Sequence, residues 1–465
     1  MLNQNSLESP TFFTPKFQAF LNKHKIDKRI YEEGLKYRFI RINPCLLPSE
    51  YSLEEDPFRK VDLSTFEKEL SPDLLFIENS GGFCRIPASI PLSSTESYKT
   101  GKIYGMDFSS GAAVLALGVE KGDQILELCC APGAKLCFMS DLLAIKERGC
   151  DKEFRSGNVT GVDIAEHRLF TCRSLIKKYK TAYRTRLFLA DGTTFNVLPP
   201  IDLRFSQRTP KKLIASKENY LTQAASSDGT NGLKTDNLLK QTAPFYAPRH
   251  LRLPGRTGLP NSTCLIGYDK VLVDAECTHD GSIMHVLKYR LGKPIGIRDA
   301  EENPSSEVIC EKTFNLDKFD STVLDDSRVA VLSSLQLDLL QQGYRLLNPG
   351  GTLVYSTCSL TIDQNEAVIA RFIHAQIENS AFPVVESPSP FLPSSIPAAN
   401  PKYLTTSILE THGIATEHHE YIRECVSQAI RYDPIVSETS GLFIARLRKP
   451  PLTGDKIMDS AQKGK

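Results

Sequence analysis

The chain has 465 residues, 41% hydrophobic and 24% charged, with a formal net charge of +1. This is a globular composition of two to four domains at roughly 150 residues each; it excludes a uniformly basic nucleic-acid coat and a span of roughly 18 apolar residues, and MLNQNSLESPTFF, with neither a basic nor an apolar region, carries no expectation of secretion. The 12 cysteines form no C-x-x-C pair and do not group with the nine histidines in sequence, so a reducing intracellular compartment, with no disulfide framework and no metal site, is the expectation. In chain order, FTPKFQAFLNKH has the apolar spacing of a helix, and KYRFIRINPC alternates as a strand until Pro44 stops it. LLFIENSGGFCRI reads as two short strands around Asn79-Ser80-Gly81-Gly82. Residues 1–104 are therefore expected to form a small α+β subdomain.

From about Gly105, strands alternate with helices, the pattern of a parallel α/β sheet. The strands are QILEL (124–128), NVTGVD (158–163), RLFLAD (186–191), KVLVDAEC (270–277), GTLVYSTCS (351–359) and LFIARLRK (442–449). Leu332, Leu335, Leu339, Leu340, Leu346 and Leu347 form one apolar helical stripe, which Asn348-Pro349-Gly350-Gly351 ends. Asp363 and Glu366 have N-cap and N3 spacing ahead of AVIARFIHA. Flexible insertions are expected near 200–266, 291–326 and 380–404, with a disordered tail at 451–465. Residues 201–260 carry ten Lys and Arg against four Asp and Glu. That stretch and LIKKYKTAYRTR (175–186) are the basic candidates for nucleic-acid contact, each equally readable as a solvated surface.

The chemistry gathers at strand ends. In LELCCAPGAK a strand enters a Pro/Gly turn and then a helix, which aims backbone N–H groups and a positive helix end at an anionic group. Asp163 ends the next strand, at the position where an acid accepts ribose hydroxyls, and Asp191 ends the third. Singly, each reads equally well as an N-cap; together they favour a nucleoside-bearing cofactor. Cys277 and Cys358 end the fourth and fifth strands. In a doubly wound sheet such ends converge, so two thiols and Asp274 are expected around one pocket. The other cysteines, such as Cys45, Cys84 and Cys172, read as small core residues. Cys358, between Thr357 and Ser359, is badly placed for packing and well placed for attack.

These strings resemble the Sun-type (Nop/Nol/Fmu) RNA cytosine-5 methyltransferases. CCAPGAK is similar to their turn CAAPGGK, VDAEC to DAPC, and NPGGTLVYSTCSLTIDQNE to their Pro-Gly-Gly…YSTCS…NE stretch. DFSSGAAVLALGVEKGDQILEL and GLFIARLRK resemble the flanking segments. The resemblance implies a Rossmann-like class I methyltransferase core, mostly parallel with an antiparallel last strand, after a small RNA-contacting subdomain. It implies S-adenosyl-L-methionine as cofactor, on the turn Cys129, Cys130, Ala131, Pro132, Gly133, Ala134 and Lys135. Lys135 would close over the methionine carboxylate, Asp163 would hold the ribose, Arg168 would lie near the cofactor, and Asp191 would accept from the adenine amino group. Cys358 would add to carbon 6 of a cytosine, Asp274 would bond the ring edge and Cys277 would assist release.

The partner implied is RNA, tRNA or rRNA, with no membrane; a monomer in the nucleus, nucleolus or cytoplasm is expected, an organelle remaining open. The departures are Ala134 for the second glycine of the turn, Glu276 for the proline before Cys277, and Thr278-His279 for the following Ser-Gly. Glu276 reads equally as a group that raises the Cys277 pKa through like charge or repels a phosphate backbone, and as a solvent-facing loop residue. It motivates the alternative of a catalytically impaired, RNA-binding or ribosome-assembly homologue. A DNA cytosine methyltransferase lacks support because its Pro-Cys loop and Glu-Asn-Val motif are absent, and a small-molecule methyltransferase leaves the two cysteines unexplained.

Overall fold

The alternating YRFIRI segment forms the first strand of the computed structural model, which describes residues 14–48, 51, 55–149, 157–200, 243–252, 267–291, 326–379 and 382–451. Among these the strands run β1 (Tyr37–Ile42), β2 (Leu75–Phe76), β3 (Phe83–Pro87), β4 (Ile103–Gly105), β5 (Gln124–Leu128), β6 (Asn158–Asp163), β7 (Thr185–Leu189), β8 (Tyr268–Asp274), β9 (Leu347–Thr357), β10 (Val384–Glu386), β11 (Ile430–Tyr432) and β12 (Leu442–Arg448). The residues fall into two units, each discontinuous in the chain. One comprises Met1–Ala116, Ala275–Asp338 and Tyr355–Arg446; the other comprises Leu117–Asp274, Leu339–Val354 and Leu447–Lys465.

In the first unit β1 to β4 make a four-stranded sheet in the order β2-β3-β1-β4. β1 pairs antiparallel with β3, Phe39 opposite Arg85 and Ile40 opposite Cys84. Thr14 starts the preceding helix, Pro15–His24, by accepting from Phe17 N, and Lys25 closes it in the left-handed conformation. Its apolar face is Phe17, Phe20 and Leu21. These join Ile30, Tyr31, Ile283, Val286, Val329 and Leu360 in one core cluster drawn from all three chain stretches. β11 pairs antiparallel with β12, Ile430 opposite Ile444.

In the second unit β8, β5, β6 and β7 are parallel neighbours. Ile125, Leu126, Val159, Val162, Val271, Leu272 and Val273 are fully buried, the uninterrupted apolar pattern of strands covered on both faces. Helices Ala134–Lys146 and Glu166–Lys178 follow β5 and β6. The carboxyl ends of four strands, at Leu128, Asp163, Leu189 and Asp274, are thereby brought to one edge. Residues 347–354 of β9 lie beside β8, and Gly350, Gly351 and Lys449 exchange backbone hydrogen bonds in the antiparallel sense.

Several expectations change. β7, β8 and β9 end at Leu189, Asp274 and Thr357, so Asp191, Cys277 and Cys358 lie just past strand tips in tight turns. Asn348-Pro349-Gly350 ends the Asp326–Leu346 helix as expected but already belongs to β9. The helix after β9 is capped at Asn365 and begins at Glu366; Asp363 instead faces His24 and His412 at 3.5 and 3.6 Å. Residues 382–404 include β10 and the turn Ser389–Phe391, so that stretch is built structure. Within 200–266, Tyr246 forms a bridge with Leu187 and Leu251 is buried; residues 201–242 and 253–266, like 292–325 and 452–465, lie outside the described residues. Arg184 and Arg186 of the basic run are buried. Arg184 pairs with Glu147 at 2.8 Å and Arg186 donates to Thr160 Oγ1 and Leu198 O, which removes both from a surface patch. No helix among the described residues is long and apolar enough to cross a membrane.

Candidate active site

The turn after β5 is held by Asp163, the last residue of β6, and by Arg168 in the helix that follows it. Asp163 is buried, and its carboxylate accepts from Ala131 N at 3.1 Å and Ala165 N at 3.0 Å. Arg168 Nη2 donates to Ala131 O at 2.7 Å, while its Nη1 lies 3.8 Å from Asp163. Gly133, at φ +104, stands before the Ala134–Lys146 helix. A Cβ there would sit 3.2 Å from the Cys172 Cα, so backbone angle and space both call for glycine. Lys135 Nζ pairs with Asp274 at 2.6 Å, both side chains largely shielded.

Beneath the turn, Glu127 is 1% exposed and its Oε2 has no hydrogen-bond partner. Burial first, then the Asp274 carboxylate, holds its pKa well above the ordinary glutamate range, against the attraction of Lys135. A buried acceptor of this kind fits a donor group on a ligand. Asp191 is exposed and caps its own turn, accepting from Thr193 N and Oγ1 at 2.8 and 2.7 Å.

The first unit carries the thiols. Cys277 Sγ and Cys358 Sγ are 3.2 Å apart. His279 Nδ1 lies 3.0 Å from Cys358 Sγ and 3.6 Å from Cys277 Sγ. The loops that carry them are fixed by a buried polar network. Thr357 Oγ1 donates to Asn365 Oδ1 at 2.5 Å, and Asn365 Nδ2 donates to Ser359 O at 2.8 Å, so one amide brackets Cys358 on both sides. Gln364 Oε1 accepts from Thr278 N, and its Nε2 donates to Thr278 Oγ1 and Ser359 Oγ. Asp280 accepts from Leu360 N at 2.7 Å, and Tyr31 OH donates to Asp280 O at 2.8 Å. Gly281 N donates to Cys358 O, and a Cβ at 281 would lie 2.5 Å from that oxygen. Only glycine admits this closure of the loop.

A family model described as 16S rRNA methyltransferase RsmB/F matches residues 318–448. The 5-cytosine rRNA methyltransferase NSUN4 of Mus musculus is 26% identical over 266 residues, 57% of this chain and 44% of that protein. The tRNA (cytosine(49)-C(5))-methyltransferase of Pyrococcus abyssi (strain GE5 / Orsay) is 27% identical over 186 residues, 39% of this chain and 42% of that protein. These matches support a Sun-type RNA cytosine-5 methyltransferase as the kind of protein this chain resembles. The chain spans less than half the length of these curated relatives. The crystal structure of a methyltransferase homolog protein from Pyrococcus horikoshii has the same fold, at a TM-score of 0.51 and 20% identity over 95% of this chain and 99% of that one. The Sun-type family implies use of S-adenosylmethionine.

Within the Sun-type pattern, the departures at 276–279 now have physical content. Glu276 pairs with Arg328, 3.5 Å away, with both side chains partly exposed. It does not raise the pKa of Cys277. That thiol is pulled down, first by the hydrogen bond shared with Cys358 and then by the His279 imidazole and backbone, and this outweighs burial. His279 adopts φ +55, at a position where the Sun-type pattern has glycine. It groups with two cysteines, so the expectation of no histidine beside cysteine fails here: the three ligand-capable atoms lie within 4.8 Å of one another. The sequence reading missed Glu127, Asp280 and Gln364, whose partners are distant in sequence, and noted Asn365 only as part of the NE motif.

Proposed function

We propose that the chain is an S-adenosylmethionine-dependent methyltransferase acting on carbon 5 of a cytosine in tRNA or rRNA, with Cys358 as nucleophile. The observation that carries this reading is the thiol pair 3.2 Å apart, with an imidazole nitrogen 3.0 Å from Cys358 Sγ. Carbon 5 of a neutral cytosine is too weak a nucleophile to accept a methyl group directly. Addition of the Cys358 thiolate to carbon 6 makes carbon 5 enamine-like and divides one hard step into easier ones. The thiol proton passes to His279 Nδ1, which lies within reach of Cys358 Sγ. S-adenosylmethionine supplies the methyl group.

The residues of the turn fit that cofactor. Glu127 offers a buried acceptor without a partner. The Asp163 carboxylate has lone pairs left for ribose hydroxyls beyond the two N–H groups it accepts. Arg168 and Gly133 shape the turn, Lys135 pairs with Asp274, the acid assigned to the cytosine ring edge, and Asp191 is assigned to the adenine amino group. After methylation, loss of the carbon 5 proton re-forms the ring double bond and expels the Cys358 thiolate, with Cys277 assisting. The target cytosine is unpaired or flipped, since a paired base does not present carbon 6 to a thiol. The impaired-homologue reading rested on Glu276, and with that carboxylate paired with Arg328 it loses its motive.

The test is trapping on RNA containing 5-fluorocytosine, together with transfer of labelled methyl groups. Wild type should form a covalent adduct and Cys358→Ala none. Cys277→Ala should accumulate adduct on unmodified RNA. Adduct formation by Cys358→Ala, or none by wild type with RNA and cofactor still bound, would falsify the assignment of the nucleophile.

A further inference from the structure

We infer that Cys277, His279 and Cys358 form a binding site for a thiophilic divalent cation of the zinc class. Three ligands of the two types that such ions favour, two thiols and one imidazole, converge on one point from three backbone positions. In a tetrahedral zinc site with bonds of about 2.3 Å to sulfur and 2.0 Å to nitrogen, sulfur atoms lie about 3.8 Å apart and sulfur and nitrogen about 3.5 Å apart. The separations here are 3.2 Å between the sulfurs, 3.6 Å from Cys277 to His279 and 3.0 Å from Cys358 to His279. One edge already matches, and the others open by about half an ångström, within the reach of small side-chain rotations.

The frame favours a fixed site. The Asn365 amide holds both neighbours of Cys358, while Gln364 holds Thr278 between Cys277 and His279. The imidazole therefore stays beside the sulfurs on a backbone of fixed shape. Thiolates exclude magnesium and calcium, which take oxygen ligands, and select borderline and soft ions. Binding displaces the remaining thiol protons to solvent and takes the neutral imidazole through Nδ1. Three protein ligands leave a fourth position for water, the arrangement of an exchangeable ion rather than a closed structural one.

The functional consequence rests on the proposed reaction. A sulfur that ligates the ion is not available to carbon 6, so ion and cytosine compete for Cys358. The protein is then a methyltransferase that zinc holds off and chelation releases. His279 creates this property, because at its position the Sun-type pattern offers glycine, which supplies no third ligand.

The experiment uses the full-length chain, reduced and stripped with a chelator, titrated with cobalt(II) in the absence of RNA. One equivalent should produce sulfur-to-cobalt charge-transfer absorption and the visible bands of tetrahedral cobalt, and zinc should abolish both. His279→Gly suits the φ of that position and should fold normally, yet lose at least about 100-fold in zinc affinity, no less than an outer-shell change costs. Cys277→Ser and Cys358→Ser should lose as much, and Cys45→Ser nothing. Zinc should also protect Cys358 of wild type from iodoacetamide, but not that of His279→Gly. The proposal is overturned if cobalt binds without the sulfur band, or if His279→Gly binds zinc as tightly as wild type. Absorption and alkylation need neither RNA nor cofactor, so this result stands apart from the success or failure of methyl transfer. If zinc binds as described while 5-fluorocytosine RNA is never trapped, the reaction is wrong and the metal site remains.

Discussion

Burial alone moves a thiol one way. Cys84, enclosed in the core, has its pKa pushed up to about 12 because the thiolate has no solvent. Cys277 is equally buried, yet its pKa falls from 9.0 to about 5, because it shares a hydrogen bond with the Cys358 thiol and the His279 imidazole and backbone stand beside it. The proton belongs to the pair rather than to either sulfur. A folded-state pKa below the unfolded one means that, between about 5 and 9.0, the unfolded chain binds more protons. The stabilisation is therefore complete above the upper value, shrinks as pH falls and is gone below the lower one. Wild type should thus lose melting temperature on acidification across that window, whereas Cys277→Ala should show a shallower slope. Parallel slopes in calorimetry from pH 5 to 9 would remove this account of the pair. The sequence placed both cysteines at strand ends, and the true positions are only a few residues further along each turn. The sign of the pKa shift was not legible, since it depends on which way the side chains of Glu276 and His279 point.

At the scale of the element, the turn between β5 and the Ala134–Lys146 helix was legible because Pro and Gly punctuate it and an acid ends the following strand. Glu127 was not legible. In QILEL it looks like one polar residue within an apolar strand, and nothing local shows that both faces of β5 are covered. Buried, with Asp274 nearby, it keeps its proton well above the pH where a free glutamate loses it. The sign is then opposite to that of Cys277: above the ordinary glutamate pKa the unfolded chain releases a proton that the folded chain retains, so stability falls as pH rises. Glu127→Gln keeps the shape and removes the titration. It should melt at a higher temperature than wild type at pH 8, with little difference at pH 4. The same change should weaken S-adenosylmethionine binding by roughly 3- to 10-fold, the scale of one lost hydrogen bond to a neutral carboxyl group. Unchanged affinity in calorimetry would detach Glu127 from the cofactor.

The architecture of the whole molecule departs most from a linear reading. The sheet β1 to β4 lies between Tyr37 and Gly105, close to the expected boundary after residue 104. The helix before it, however, is completed by residues from elsewhere in the chain: Phe17, Phe20 and Tyr31 pack with Ile283, Val286, Val329 and Leu360. Periodicity shows that a helix has an apolar face but not which distant segment covers it, so this closure was beyond sequence reasoning. It matters because Ile283 lies four residues past His279 and Leu360 two past Cys358. Tyr31 also donates to Asp280 O, inside the loop that carries Cys277. The N-terminal helix and the thiol loops should therefore open as one cooperative unit. Leu360→Ala should cost about 2–5 kcal/mol. In hydrogen exchange it should accelerate amides of Pro15–His24 together with those near Ile283, while leaving β5 and β6 at their wild-type rates. Faster exchange near Leu360 with an unchanged N-terminal helix would mean that the helix is an independent appendage; joint acceleration would mean that the geometry of the nucleophile is maintained in part by residues more than 300 positions away in the chain.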